Sequence, residues 1–255
     1  MGQDGEYDVR DAIQAGTVWI TGAAGDEIEA YLAHPLGSKQ HGGVVVIHHM
    51  PGYDEPTKEI TRRLATYGFA AICPNLYSRE APGASPDDAA ATVRAAGGVP
   101  DERLVEDVAG AAAYLRGLPG SNGKVGVIGY CSGGRQAFLA AGRLPLDAAV
   151  DCYGAFVVGE PPAGFPLRVR PLLDEAPSLR CPLLGMFGAD DQYPSPEQVA
   201  ELDRELTRLG KPHEFHTYEG AGHAFFAVDR PSYRPQAATD GWRRIREFFD
   251  RHLSA

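Results

Sequence analysis

Residues 124–134 read KVGVIGYCSGG, and the fold is decided there. KVGVIGY is a short apolar run of the kind that forms a buried strand, and RQAFLAAG, which follows Gly134, reads as a helix. Between them, Gly129-Tyr130-Cys131-Ser132-Gly133-Gly134 has the form G-x-C-x-G-G, the pattern of a nucleophile elbow. A strand that turns this sharply into a helix pushes its middle residue into a strained backbone conformation. The turn closes only if the flanking residues lack bulk. The Cys131 thiol is then expected to project from the C-terminal edge of a sheet. The helix N-terminus behind it favours negative charge on sulfur or on a substrate oxygen.

Working outward from this turn, strand-like and helix-like runs alternate from about residue 43, the signature of a parallel sheet with crossover helices. GGVVVIHH (42–49), FAAICP (69–74), AAVDCYG (148–154), CPLLGMFG (181–188) and EFHTYEG (214–220) read as strands. Residues 17–33 instead suggest an antiparallel pair at the sheet edge. A helix is expected after Pro56, with Ile60, Leu64 and Tyr67 on one face and Gly68 as its stop. Asp101–Leu118 has apolar residues at helical spacing. Ser195-Pro196-Glu197-Gln198 combines an N-cap, a first-turn proline and a capping-box glutamine. Trp242, Ile245, Phe249 and Leu253 mark the stripe of a closing helix. Residues 79–100 read as a mobile loop or short helical excursion over the site, and 159–180 as a surface excursion bordering it. The expected fold class is therefore α/β, with a mostly parallel central sheet, helices on both faces, and one domain spanning residues 1–255.

The formal charge of −10 argues against a nucleic-acid or anionic-membrane surface, because both require a basic patch. The N-terminal MGQDGEYDVRDAIQAG lacks the basic and apolar regions of a secretion signal, and no window has the length of a membrane span. Met1-Gly2 opens like a myristoylation site, but Glu6 stands where Ser or Thr is needed. A cytoplasmic protein with a small-molecule partner, a monomer or weak homodimer, is the expectation. Cys73, Cys131, Cys152 and Cys181 form no CxxC pair, which indicates free thiols.

A thiol nucleophile needs a base, and the base needs an acid to fix its tautomer and position. In α/β-hydrolases these follow in the order nucleophile, acid, histidine. The chain offers Cys131, then Asp190 or Asp191 after CPLLGMFG, then His223 after EFHTYEG, all in loops at strand C-termini, where open α/β sheets bind ligands. The amide of Ser132 and one at the end of HHMPG, that of Met50, are the expected oxyanion donors. The turn lacks the Lys-Ser/Thr of a phosphate-binding loop. Cys73, Cys152 and Cys181 read as inert packing. Adjacent strand residues such as His48 and His49 point to opposite faces, so they do not chelate one metal together. No metal or cofactor is expected.

Four segments, PNLYSREAPG (74–83), SNGKVGVIGYCSGG (121–134), FGADDQYPSP (187–196) and YEGAGHAF (218–225), resemble the landmarks of the dienelactone hydrolase (carboxymethylenebutenolidase) family in order and spacing. The resemblance spans nearly the whole chain. It implies an α/β-hydrolase fold and a Cys131-His223-Asp191 triad, with Asp191 rather than Asp190 as the acid. It also implies that Arg79 holds a substrate carboxylate, a role suited to its bidentate fork. Two positions depart from the family. His49 stands where a glutamate helps generate the thiolate, as an auxiliary base or pocket donor, and Ala227 stands where a second arginine is found. These departures point toward a less anionic or larger lactone or ester. Tyr77, Tyr153, Phe156, Tyr193, Phe225 and Phe226 are candidate aromatic pocket residues, and His49, Arg79, Tyr77, Tyr153 and Phe225 form the expected substrate-binding set. The reading is a cysteine hydrolase of lactones or esters acting through a thioester. The alternatives are a broader carboxylesterase or thioesterase, or a non-catalytic small-molecule binder on the same scaffold.

Overall fold

The computed structural model describes residues 12–37 and 40–254, so the Met1-Gly2 reading lies outside the described residues. Eight strands form one sheet: β1 (Ile13–Thr21), β2 (Glu27–Pro35), β3 (His41–Ile47), β4 (Ala70–Pro74), β5 (Ser121–Tyr130), β6 (Ala148–Cys152), β7 (Leu183–Gly188) and β8 (His213–Tyr218). Their order is β1-β2-β4-β3-β5-β6-β7-β8. The β1–β2 and β2–β4 pairs are antiparallel and every other pair is parallel.

Six helices cover the sheet: α1 (Glu55–Thr66), α2 (Pro86–Ala96), α3 (Asp101–Arg116), α4 (Ser132–Arg143), α5 (Pro196–Arg208) and α6 (Pro235–Leu253). Because side chains alternate along a strand, β3 sends Val45 and Ile47 into one core, shared with α2 through α5, and Val44 and Val46 into the other, shared with α1 and α6. Both faces are buried, which explains the uninterrupted apolar runs of the parallel strands. The α6 stripe of Trp242, Ile245, Phe249 and Leu253 lies in the second core, as its spacing predicts.

Local signals explain where helices begin. Asp54 caps α1 by accepting from the Thr57 amide, and Pro56 occupies the first turn. Ser195 caps α5, and Gln198 bonds back to the Ser195 amide at 3.0 Å, completing the capping box. Residues 79–100, expected as a loop or short helical excursion, contain the three-turn helix α2. Ser85 caps its start and Gly97 ends it in the left-handed conformation. Alanine-rich segments have high helix propensity but a weak apolar stripe, so periodicity alone understates them. Residues 159–180 contain one short 3-10 segment, Leu173–Ser178.

Ser195→Ala removes the cap acceptor while leaving the packing of α5 intact. It is expected to cost about 1 kcal/mol and to lower the melting temperature by roughly 2–4 °C in a chain of this size. An unchanged thermal unfolding curve would deny the capping box a role in stability.

Candidate active site

β5 ends at Tyr130 and α4 begins at Ser132, so the reversal falls on Cys131 alone, at φ 57° and ψ −121°. An L-residue adopts this backbone only when its surroundings enforce it. The glycines provide that enforcement. A Cβ at Gly129 would lie 1.9 Å from the Gly133 oxygen, one at Gly133 would lie 2.4 Å from the Ile47 oxygen, and one at Gly134 would lie 2.4 Å from Asp151 Oδ1. Asp151 closes the turn from behind, accepting the Gly154 amide at 2.7 Å. Burial pushes its carboxyl up to about 7, against the opposing pull of that bond and of His223.

Asp191 and His223 come from loops after different strands, β7 and β8. Asp191, directly after the two-residue turn that ends β7, is buried, whereas Asp190 beside it is exposed. Asp191 Oδ1 accepts the Tyr193 amide at 3.0 Å, and Oδ2 accepts from His223 Nδ1 at 2.8 Å. Burial opposes charge on His223, but hydrogen bonds to Asp191 and Cys131 outweigh it and raise the imidazole to about 10. Tyr153 packs edge-on against this ring with centroids 5.1 Å apart. Cys131, Asp191 and His223 share a cleft of about 440 Å³, walled by Phe156, Phe165 and Tyr193. The three remaining cysteines are buried, and burial pushes each thiol up, that of Cys181 to about 12.

Ser132 is the first residue of α4, so its amide has no carbonyl one turn back to donate to. Facing it across the elbow is the loop after β3. His48 is buried, with Nδ1 donating to the His49 carbonyl at 2.9 Å and Nε2 accepting the Leu76 amide at 3.3 Å. Burial lowers it to about 4, so the ring is neutral and its tautomer is set by these two bonds. The Tyr77 hydroxyl donates to the Met50 carbonyl at 3.0 Å, fixing the same loop. His49 turns the other way, and its Nε2 lies 2.6 Å from Asp54 Oδ2. Burial would raise Asp54, but bonds from His49 and Thr57 hold it down at about 2. His48 and His49 thus have separate partners.

Three residues of the expected substrate-binding set have partners within the protein. Arg79 forks onto Asp107 with two 2.9 Å bonds, reaches Asp26 at 2.7 Å, and touches the Ala23 carbonyl. Asp107 is fully buried on α3 and also accepts the Ala23 amide, so the arginine compensates a buried carboxylate of the protein itself. Phe225 is completely buried among Tyr153, Tyr218 and Phe226, behind the wall of the site. Tyr77 is buried and holds the Met50 loop. His49 and Tyr153 do line open space, a second cavity of about 280 Å³ that also includes Ala227 and Trp242. No sequence pattern signalled Asp54, the partner of His49. Phe165 sits in a segment without periodicity, so no pattern signalled it.

A sequence model of the dienelactone hydrolase family matches residues 28–253. The chain belongs to that family. As a dienelactone hydrolase family member it is 33% identical over 227 residues to the carboxymethylenebutenolidase of Pseudomonas putida, covering 84% of this chain and 90% of that one. It is 35% identical over 251 residues to a provisionally named carboxymethylenebutenolidase of Escherichia coli (strain K12), covering 95% and 89%. The crystal structure of a provisionally named dienelactone hydrolase from Klebsiella pneumoniae subsp. pneumoniae MGH 78578 superposes with a TM-score of 0.83 at 31% identity, over 94% of this chain and all of that one. The fold is thus that of the α/β-hydrolases, and the family is one of lactone and ester hydrolases. No helix among the described residues is long and apolar enough to cross a membrane.

Arg79→Met strands the Asp107 carboxylate and is expected to cost about 3–5 kcal/mol in urea unfolding, with partial recovery in Arg79→Met/Asp107→Leu. Unchanged stability together with a raised KM for anionic esters would return Arg79 to a substrate role. Because the His223 pKa is raised, its charged interactions stabilise the fold fully below about pH 6.5 and are lost as pH rises through about 10. NMR of the imidazole is expected to show it protonated through neutrality, with a clear downward shift in Asp191→Asn. Titration at the ordinary value, indifferent to that substitution, would contradict the assigned pairing.

Proposed function

We propose that the protein hydrolyses a small-molecule lactone or carboxylic ester with Cys131 as nucleophile, His223 as general base and acid, and Asp191 as its orienting carboxylate. One observation carries this reading: the Asp191–His223 hydrogen bond of 2.8 Å ends in the cleft into which the strained elbow turns the Cys131 thiol.

In the first half-reaction Sγ, whose proton His223 already holds, attacks the carbonyl carbon. The carbonyl oxygen takes the electron pair and is held by the amides of Met50 and Ser132, which are fixed before substrate arrives. Collapse breaks the carbon–oxygen ester bond, and the imidazolium returns its proton to the departing alkoxide. A thioester on Cys131 remains. In the second half, His223 takes a proton from water as that water attacks the thioester. The carbon–sulfur bond then breaks with its electron pair on sulfur, the carboxylic acid leaves, and the proton taken from water stays on His223, which restores the starting pair. Asp191 keeps Nδ1 protonated throughout, so that Nε2 carries the exchange. Tyr77 acts through the Met50 loop as a positioning residue.

The Asp191–His223 pair favours this chemistry over a non-catalytic binder, since binding alone requires no oriented imidazole beside a thiol. Acid-quenching the enzyme during turnover of a p-nitrophenyl ester should yield a peptide containing Cys131 heavier by the acyl group. Cys131→Ala should lack this adduct and lose about 10⁴-fold or more in kcat. Turnover that persists in Cys131→Ala would refute the assignment.

A further inference from the structure

The second cavity lies between α1, the 226–229 loop and α6, and its walls are Ile60, Tyr130, Tyr153, Phe226, Ala227 and Trp242. Two of these residues tie it to the thiol. Tyr130 immediately precedes Cys131, and the Tyr153 ring packs on His223. We propose that this cavity is the subsite for the non-reacting body of the substrate, and that it selects an uncharged, largely apolar ring. The assignment rests on the hydrolase reading above and deepens it.

Apolarity follows from the lining. Aromatic and aliphatic side chains make up most of the walls. Ala227, a methyl side chain, leaves the space open.

Neutrality follows from the charges. The lining carries Glu55, Glu59 and Asp229 against one guanidinium, Arg63, and all four are exposed at the rim. Arg62 pairs with both glutamates, while Arg63 lies over the Trp242 ring with 4.7 Å between its central carbon and the ring centroid. Farther in, His49 is committed to Asp54 and His48 is neutral. A carboxylate entering the cavity would lose water without gaining a buried cation.

The test uses Cys131→Ala, so that binding is read apart from turnover, with 2-naphthamide and 2-naphthoate as probes of matched size followed by calorimetry. The amide is expected to bind at least tenfold more tightly than the carboxylate. Adding Ala227→Trp, which fills the cavity, should weaken amide binding by at least tenfold. Circular dichroism checks that each variant is folded. Equal or tighter binding of the carboxylate, no measurable binding of the amide, or indifference to Ala227→Trp in a folded protein would overturn the subsite. None of these results depends on whether wild-type enzyme forms an acyl-cysteine, so the two readings fail separately.

Discussion

The whole site depends on one steric constraint, the elbow that holds Cys131 at positive φ. Backbone atoms of Gly133, of β3 and of the β6 end approach the turn so closely that side chains at Gly129, Gly133 or Gly134 would collide with them. The strained conformation is therefore maintained by the sheet, whose strands are buried on both faces and cannot relax independently. The stored strain places the sulfur at the sheet edge, with the N-terminus of α4 beneath it. Asp191 and His223 approach from the loops after β7 and β8, the next two strands beyond β6. Parallel connectivity makes this convergence possible, since it puts the C-terminal ends of β3, β5, β6, β7 and β8 on one edge.

Around that edge the polar groups are arranged so that most have one available state. His48 is neutral and bonded at both nitrogens, Tyr77 pins the Met50 carbonyl, and Asp191 accepts both a backbone amide and His223. Preorganisation of this kind lets donors stabilise a developing oxyanion without rearranging. Farther away, Arg79 and Asp107 bind the β1–β2 turn to α3. In that pair the geometry suited to holding a substrate carboxylate holds a buried aspartate of the protein itself.

The sequence displayed the features set by local patterning. β-Branched runs identified β3 and the strands that follow it, Ser195 and Gln198 marked the start of α5, and G-x-C-x-G-G marked the elbow, because each signal lies within a few residues. The choice between Asp190 and Asp191 needed the family resemblance. Periodicity cannot tell which of two neighbouring loop carboxylates turns inward. Pairings across long separations were not legible. Asp107 gives no sign in its helix that Arg79 will meet it, and Asp54 gives none that His49 will. Phe225 read as a pocket residue because aromatic side chains beside a site look alike in sequence, whether they face the ligand or support the wall. The second cavity was invisible for a related reason. Trp242 belongs to a regular apolar stripe, and nothing in a stripe says that one of its members borders empty space.

The account stands on the thiol and the imidazole acting as a unit, and the most direct measure of this is the rate at which iodoacetamide alkylates each cysteine at neutral pH, followed by peptide mass spectrometry in the wild-type protein and in His223→Ala. Selective modification of Cys131, slowed at least tenfold when the imidazole is removed, is the predicted result. Alkylation of Cys131 at the same rate with or without His223 would contradict it.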